Sequence, residues 1–208
     1  MPAPETAPQQ RPVLGHVNLM ADTLIANATL DDLRAIVRSM VASATPGIAA
    51  ALTAAARDRL LQTNVTRLPS NSYQQQQCFF APSCNSHEVA ATPQLQDTLR
   101  RARALYGSGM GFASLCLLAH VIRATIGMRW NREGDVAEAL AVIDADIAQA
   151  IQSCKEEVES GRVGDRGPAR RALNDLRCAI QASLADVESW GGEFPFERGA
   201  SSVEYWKV

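Results

Sequence analysis

Cys116 and His120 stand four residues apart in an apolar stretch, so a helix there would place a thiol and an imidazole on one face. That is the pairing a cysteine nucleophile and its base require. The surroundings argue for a plainer role. His120 sits among Leu117, Leu118, Ala119, Val121 and Ile122, where a histidine is expected to be a core residue with a backbone or carboxylate partner. The other histidines are His16 and His87, and no Gly-x-Ser-x-Gly motif occurs. No catalytic residue is assigned on this basis, and a small helical enzyme with a site near His120 and Cys116 is kept as an alternative.

Other chemistry-bearing groups divide in the same way. Cys78-x5-Cys84-x2-His87 offers three zinc-ligand types in an irregular segment, but the spacing is not that of a zinc knuckle and no further pair nearby completes four ligands. No metal or cofactor is expected. Asp144-Ala-Asp146 resembles a short magnesium-holding motif. On a helix, residues two apart point in directions roughly 200° different, so the carboxylates cannot converge, and a solvated acidic face is expected. Gly107-Ser-Gly-Met-Gly111 lacks both the Gly-Lys-Ser/Thr ending of a phosphate loop and the preceding strand of a dinucleotide fingerprint. It predicts a helix break or a close helix crossing. Arg100, Arg101 and Arg103, with Arg57, Arg59 and Arg67 elsewhere, give a modest basic surface. The sequence pI of about 5.9 is far from that of a nucleic-acid-binding domain. A nucleic-acid-associated helical protein using Arg100, Arg101 and Arg103 therefore stands as an alternative that is not favoured.

The elements that must position these groups are helices. Val136, Leu140, Ile143, Ile147, Ile151, Cys154 and Val158 form one apolar ladder, and Leu173, Leu176, Ile180, Leu184 and Val187 form another. Steps of three and four place each set on one stripe. Thr29-Leu-Asp-Asp32 announces a further helix, and Thr45-Pro46-Gly47 another with Pro46 in its first position. The reading is an all-α helical bundle of two antiparallel hairpins, about 29–61 and 135–190, around a central hydrophobic helix at 111–128. A disordered arm covers 1–15, and a single helical domain covers 16–208. Within that domain, 62–92 is an irregular connection without periodicity. Residues 193–208 form a tail holding Phe194, Phe196, Tyr205 and Trp206, expected to dock on the helical body or to engage a partner.

Composition narrows the classes. Of 208 residues, 47% are apolar and 20% charged, as in soluble globular proteins. Residues 1–132 carry 12 arginines against 7 acidic residues, while 133–208 carry 8 basic against 15 acidic, which suggests opposite faces for a partner. Five cysteines without framework spacing suggest reduced thiols in an intracellular protein, cytoplasmic or nuclear. The amino terminus lacks the charged and apolar regions of a secretory signal. The longest apolar run, Met110–Ile122, is too short to span a membrane. These observations together lead to a non-catalytic protein–protein interaction module, an adaptor or subunit of an intracellular complex, working through a protein partner or self-association. Phe194, Phe196, Tyr205, Trp206, Arg100, Arg101 and Arg103 are its candidate contact residues.

Overall fold

The computed structural model describes residues 19–66, 79–82 and 89–206. The proposed arm at 1–15, the histidine at position 16, and Cys78, Cys84 and His87 lie outside these residues. Among the described residues the chain forms eight helices: α1 (Leu19–Asn27), α2 (Leu30–Ala42), α3 (Ile48–Thr66), α4 (Pro93–Gly107), α5 (Gly111–Arg123), α6 (Asp135–Glu159), α7 (Arg166–Trp190) and α8 (Glu197–Glu204). Between α3 and α4, β1 (Phe80–Pro82) pairs antiparallel with β2 (Val89–Ala91) in the register Phe80↔Ala91, Ala81↔Ala90 and Pro82↔Val89. The segment expected to be without regular structure thus carries a small hairpin. Phe79, just before it, is buried in the helical core.

Two compact units are distinguished, Met1–Ala50 and Ala51–Val208. In the first, Thr29 caps α2: its hydroxyl oxygen accepts from Asp32 N at 3.2 Å, while the hydroxyl donates to Asp32 Oδ2 at 2.6 Å. Despite a regular apolar ladder, α2 buries none of its residues. Its C-terminal turn carries Gly47 at φ +85°, so α3 begins at Ile48 and not at Pro46. The hairpin expected over 29–61 therefore straddles the two units.

In the second unit α5 is the hub. Leu115, Leu118, Ala119, Val121 and Ile122 are fully buried, and α5 makes extensive interfaces with α7, α4 and α6. A helix apolar over most of its circumference needs neighbours on several sides. The expected packing of 135–190 as a hairpin is corrected here. The ladders of α6 and α7 are buried as read except for the half-buried Val158 and Leu184, but α6 and α7 share no substantial interface, because both turn toward α5. The hub is also shorter than the expected 111–128: α5 stops at Arg123, and Gly127 at φ +82° redirects the chain toward Trp130.

The glycine run does what its spacing implied. α4 ends at Gly107, Gly109 adopts φ +79°, and Gly111 opens α5 against α6. A Cβ at position 111 would lie 2.5 Å from Cys154 N and 2.7 Å from its Sγ, whereas one at position 107 would meet nothing within 4 Å. Backbone cannot retreat as a flexible side-chain end can. Gly111→Ala is therefore expected to lower stability by about 1–3 kcal/mol through forced separation of α5 and α6. Gly107→Ala should leave it unchanged or slightly raised through helix propensity. Thermal and urea unfolding of the two variants checks the contrast.

Candidate functional site

The residues that carry charge into the fold converge on α6. Asp146 is 6% exposed and Asp144 7% exposed. The expected solvated acidic face is thereby overturned: both carboxylates are enclosed because each satisfies donors of a different helix. Asp146 takes a fork from Arg103 of α4, with Nε–Oδ1 2.9 Å and Nη2–Oδ2 2.8 Å, and Tyr106 Oη donates to its Oδ1 at 2.9 Å. Two turns further on, Ser153 Oγ donates to the Tyr106 carbonyl at 2.7 Å. Burial first, and then the hydrogen bond to Asp146, push the Tyr106 phenol up to about 12. The bond to Asp146, opposed by burial, raises the Arg103 guanidinium further.

Asp144 leaves the opposite edge of α6 and caps α8. Its Oδ1 accepts from Gly199 N at 2.8 Å and its Oδ2 from Arg198 N at 3.3 Å. The residue at the head of α8 is Phe196, which has no side chain able to cap, so the carboxylate of another helix supplies the acceptor. Gly199 permits the approach, since a Cβ there would lie 2.8 Å from Ile147 Cγ2. Glu157 does the same for α5, whose head is Met110: its Oε2 accepts from Phe112 N at 3.3 Å, and Gly111 N–H also bonds the carboxylate. Burial holds the Glu157 carboxyl above its ordinary range, against the lowering effects of these amides, Arg162 and Arg57. Arg57 also donates from α3 to Ser108 O at 2.9 Å, within the same glycine turn.

These contacts decide where the expected site residues stand. Arg103 is committed to Asp146, Arg100 pairs with Asp97 on its own helix, and Arg101 is exposed with a partner of its own. In the tail, Phe196 is fully buried and edge-on to Phe194 at 5.9 Å, while Trp206 stacks on Phe112 at 5.7 Å. Arg177 Nη2 donates to Val203 O at 3.2 Å, completing the clasp of α8, a helix that the aromatic composition of 193–208 did not reveal. Tyr205 alone of the four aromatics is largely free, at 86% exposure.

Cys116 and His120 lie on the exposed strip of α5, not in the core, and no hydrogen bond joins them. The reason is rotational: the buried face runs through Leu115, Leu118, Ala119 and Ile122, which leaves 116 and 120 outside it. His120 instead contacts the buried Phe79 ring edge-to-face at 5.4 Å. Local burial, followed by the charge of Asp175, pushes the Cys116 thiol up, and burial does the same to Cys154. A nucleophile needs the opposite shift. Among the described residues no group of three or more His, Cys, Asp or Glu side chains is arranged to hold a metal ion.

A cleft of about 580 Å³ is lined by Trp130, Asn131, Arg132, Trp190, Gly191, Gly192 and Glu193. Its charged groups are already engaged: Arg132 pairs with Glu193 at 2.6 Å. Behind it Arg129 lies 5.1 Å over the Trp190 ring and pairs with Asp186 at 3.2 Å. Among the described residues no helix is long and apolar enough to cross a membrane. Compared with protein-family models, curated proteins and solved structures, the chain matches none.

Site-resolved alkylation checks the thiol chemistry. With its pKa raised, Cys116 should react slowly with iodoacetamide at about pH 7 and accelerate only above the ordinary cysteine value of about 8.5. Rapid labelling at or below about pH 7 would mean an activated thiolate and would restore the enzyme alternative.

Proposed function

We propose that this protein is a non-catalytic protein–protein interaction module, an adaptor or subunit of a larger assembly, and that its contact surface is the apolar face of α1 and α2 in the first unit. One observation carries the reading. Among the described residues, twelve large hydrophobic side chains are exposed, and seven of them fall on α1 and α2 of the first unit, between Leu24 and Val41. The 138 described residues of the second unit, in contrast, expose only Leu52, Leu61, Ile126, Val142 and Tyr205. Scattered exposed apolar residues are ordinary, but a concentration on consecutive helices marks a surface that water does not cover in the working state. Tyr205 supplies a lesser, separate contact at the end of the clasped tail.

The engagement of the charged groups supports the same reading by leaving little for other work. Arg100 and Arg103 have carboxylate partners within the chain, so two of the three arginines offered to nucleic acid are already neutralised. The test is photo-crosslinking in native extract, with a photoreactive residue placed at Met40 or at Tyr205 of the full chain. Protein adducts should form in high yield at Met40 and in lower yield at Tyr205. A chain that forms no adducts at either position, and runs as a monomer, would remove the basis of the interaction reading.

A further inference from the structure

The cleft where the connection from α5 to α6 faces the end of α7 already contains the chemistry of a cation site. Its walls are Trp130 and Trp190, which meet edge-to-face at 5.3 Å. Arg129 shows how a cation is held here: its guanidinium lies 5.1 Å from the centre of the Trp190 ring, and Asp186 takes its charge at 3.2 Å. An indole face attracts a cation through its quadrupole, and a planar guanidinium also stacks on it. Arg132 and Glu193 repeat the ion pair inside the cleft at 2.6 Å, but 80% of the Arg132 side chain and 59% of the Glu193 side chain are open to solvent. A pair so placed is weak and exchanges with an incoming charge.

The sign of that charge follows from the surroundings. Residues 129–135 and 186–193, the stretches that build the cleft, carry two arginines against five acidic residues, Glu133, Asp135, Asp186, Glu188 and Glu193. Both arginines are paired, whereas Glu133, Asp135 and Glu188 form no ion pair among the described residues. Asp135 lines a second cavity, of about 210 Å³, that shares Trp130 and Asn131 with the cleft. Trp130 is thus bordered by Glu193 in one cavity and by Asp135 in the other. From 133 onward the chain carries 15 acidic against 8 basic residues, so a positive segment is drawn toward this part and an anionic one is repelled.

We propose that this cleft is a docking site for an arginine side chain presented by a partner protein, the guanidinium lying against Trp130 and replacing Arg132 on Glu193. The contact is separate from the first-unit surface proposed above. That surface selects a partner by its apolar side chains, and the cleft selects one by its charge.

Proton–nitrogen correlation NMR of the full chain at low ionic strength tests it. The indole N–H signals of Trp130 and Trp190 are the reporters, and that of Trp206, stacked on Phe112, is the internal control. The probe is the peptide acetyl-Gly-Arg-Gly-Arg-Gly-amide, compared with the same peptide carrying citrulline, which keeps the shape without the charge, or glutamate in place of arginine. The arginine peptide should shift the Trp130 and Trp190 signals saturably, with a dissociation constant in the millimolar range, and leave Trp206 in place. The other two peptides should shift none of them. Glu193→Gln should weaken binding by about threefold or more by removing the charged acceptor. Arg132→Met should tighten it by about two- to fivefold, because the competing guanidinium is gone while an apolar stem remains. Both side chains are largely exposed, so the variants should melt with the wild type. No saturable shift with the arginine peptide, an equal shift with citrulline, or weaker binding in Arg132→Met overturns the proposal. A glutamate peptide that moves the same signals reverses the sign of the site and overturns it as well. Adducts at Met40 test the first-unit surface by themselves, so the interaction reading stands or falls separately.

Discussion

Three carboxylates of one helix determine how the second unit is assembled. Asp146, Asp144 and Glu157 project from α6 and satisfy, in turn, the guanidinium and phenol of α4, the first amides of α8 and the first amides of α5. Neither α5 nor α8 has a side-chain cap of its own, so the orphan N–H groups that every helix head presents would be buried without acceptors if α6 did not supply them. Apolar burial accounts for the attraction between these helices. The carboxylates account for their placement, since a hydrogen bond to a buried donor is satisfied at one register and lost at the next.

The same arrangement bears on function. An acid that holds a helix head is unavailable as a general acid or a metal ligand, and an arginine forked on Asp146 is a poor phosphate contact. In the second unit Asp144, Asp146, Glu157 and Arg103 are consumed in positioning its own helices, and its large apolar side chains are mostly enclosed. The first unit is the reverse. Its best-patterned helix, α2, has a satisfied cap and an apolar ladder none of whose residues is buried among the described residues. That contrast between a closed body and an open helix is why the functional reading rests on the N-terminal helices.

Much of the fold was legible. Steps of three and four located α6 and α7 and the residues they bury, because packing follows periodicity directly. The close crossing at Gly111 was readable from three alternating glycines between helical patterns. The buried acids were harder, although a signal existed. At 100° per residue, Asp144 falls on one edge of the α6 apolar stripe, and Asp146 and Glu157 on the other. The 200° separation that excludes a shared ion also implies one partner on each side. Recognising it requires noticing that Met110 and Phe196 begin helices without caps, and the brief pattern Glu197–Glu204 concealed that a helix begins there at all. His120 was misplaced because an apolar neighbourhood in sequence is not an apolar face: four of its five cited neighbours point elsewhere on the helix. That α6 and α7 pack on α5 and not on each other was only half readable, because an amphipathic ladder specifies that a stripe is buried and not which helix covers it.

The role of the α6 carboxylates is tested most directly by native-state hydrogen exchange in Asp144→Asn and Asp146→Asn, read amide by amide. The account predicts separable losses. Asp144→Asn should release the amides of Arg198, Gly199 and the turn after them while α4 remains protected, and Asp146→Asn should raise exchange along α4 while α8 remains protected. A uniform change spread over all helices in both variants, or no change at the α8 amides in Asp144→Asn, would contradict it and leave apolar packing alone as the determinant of where these helices sit.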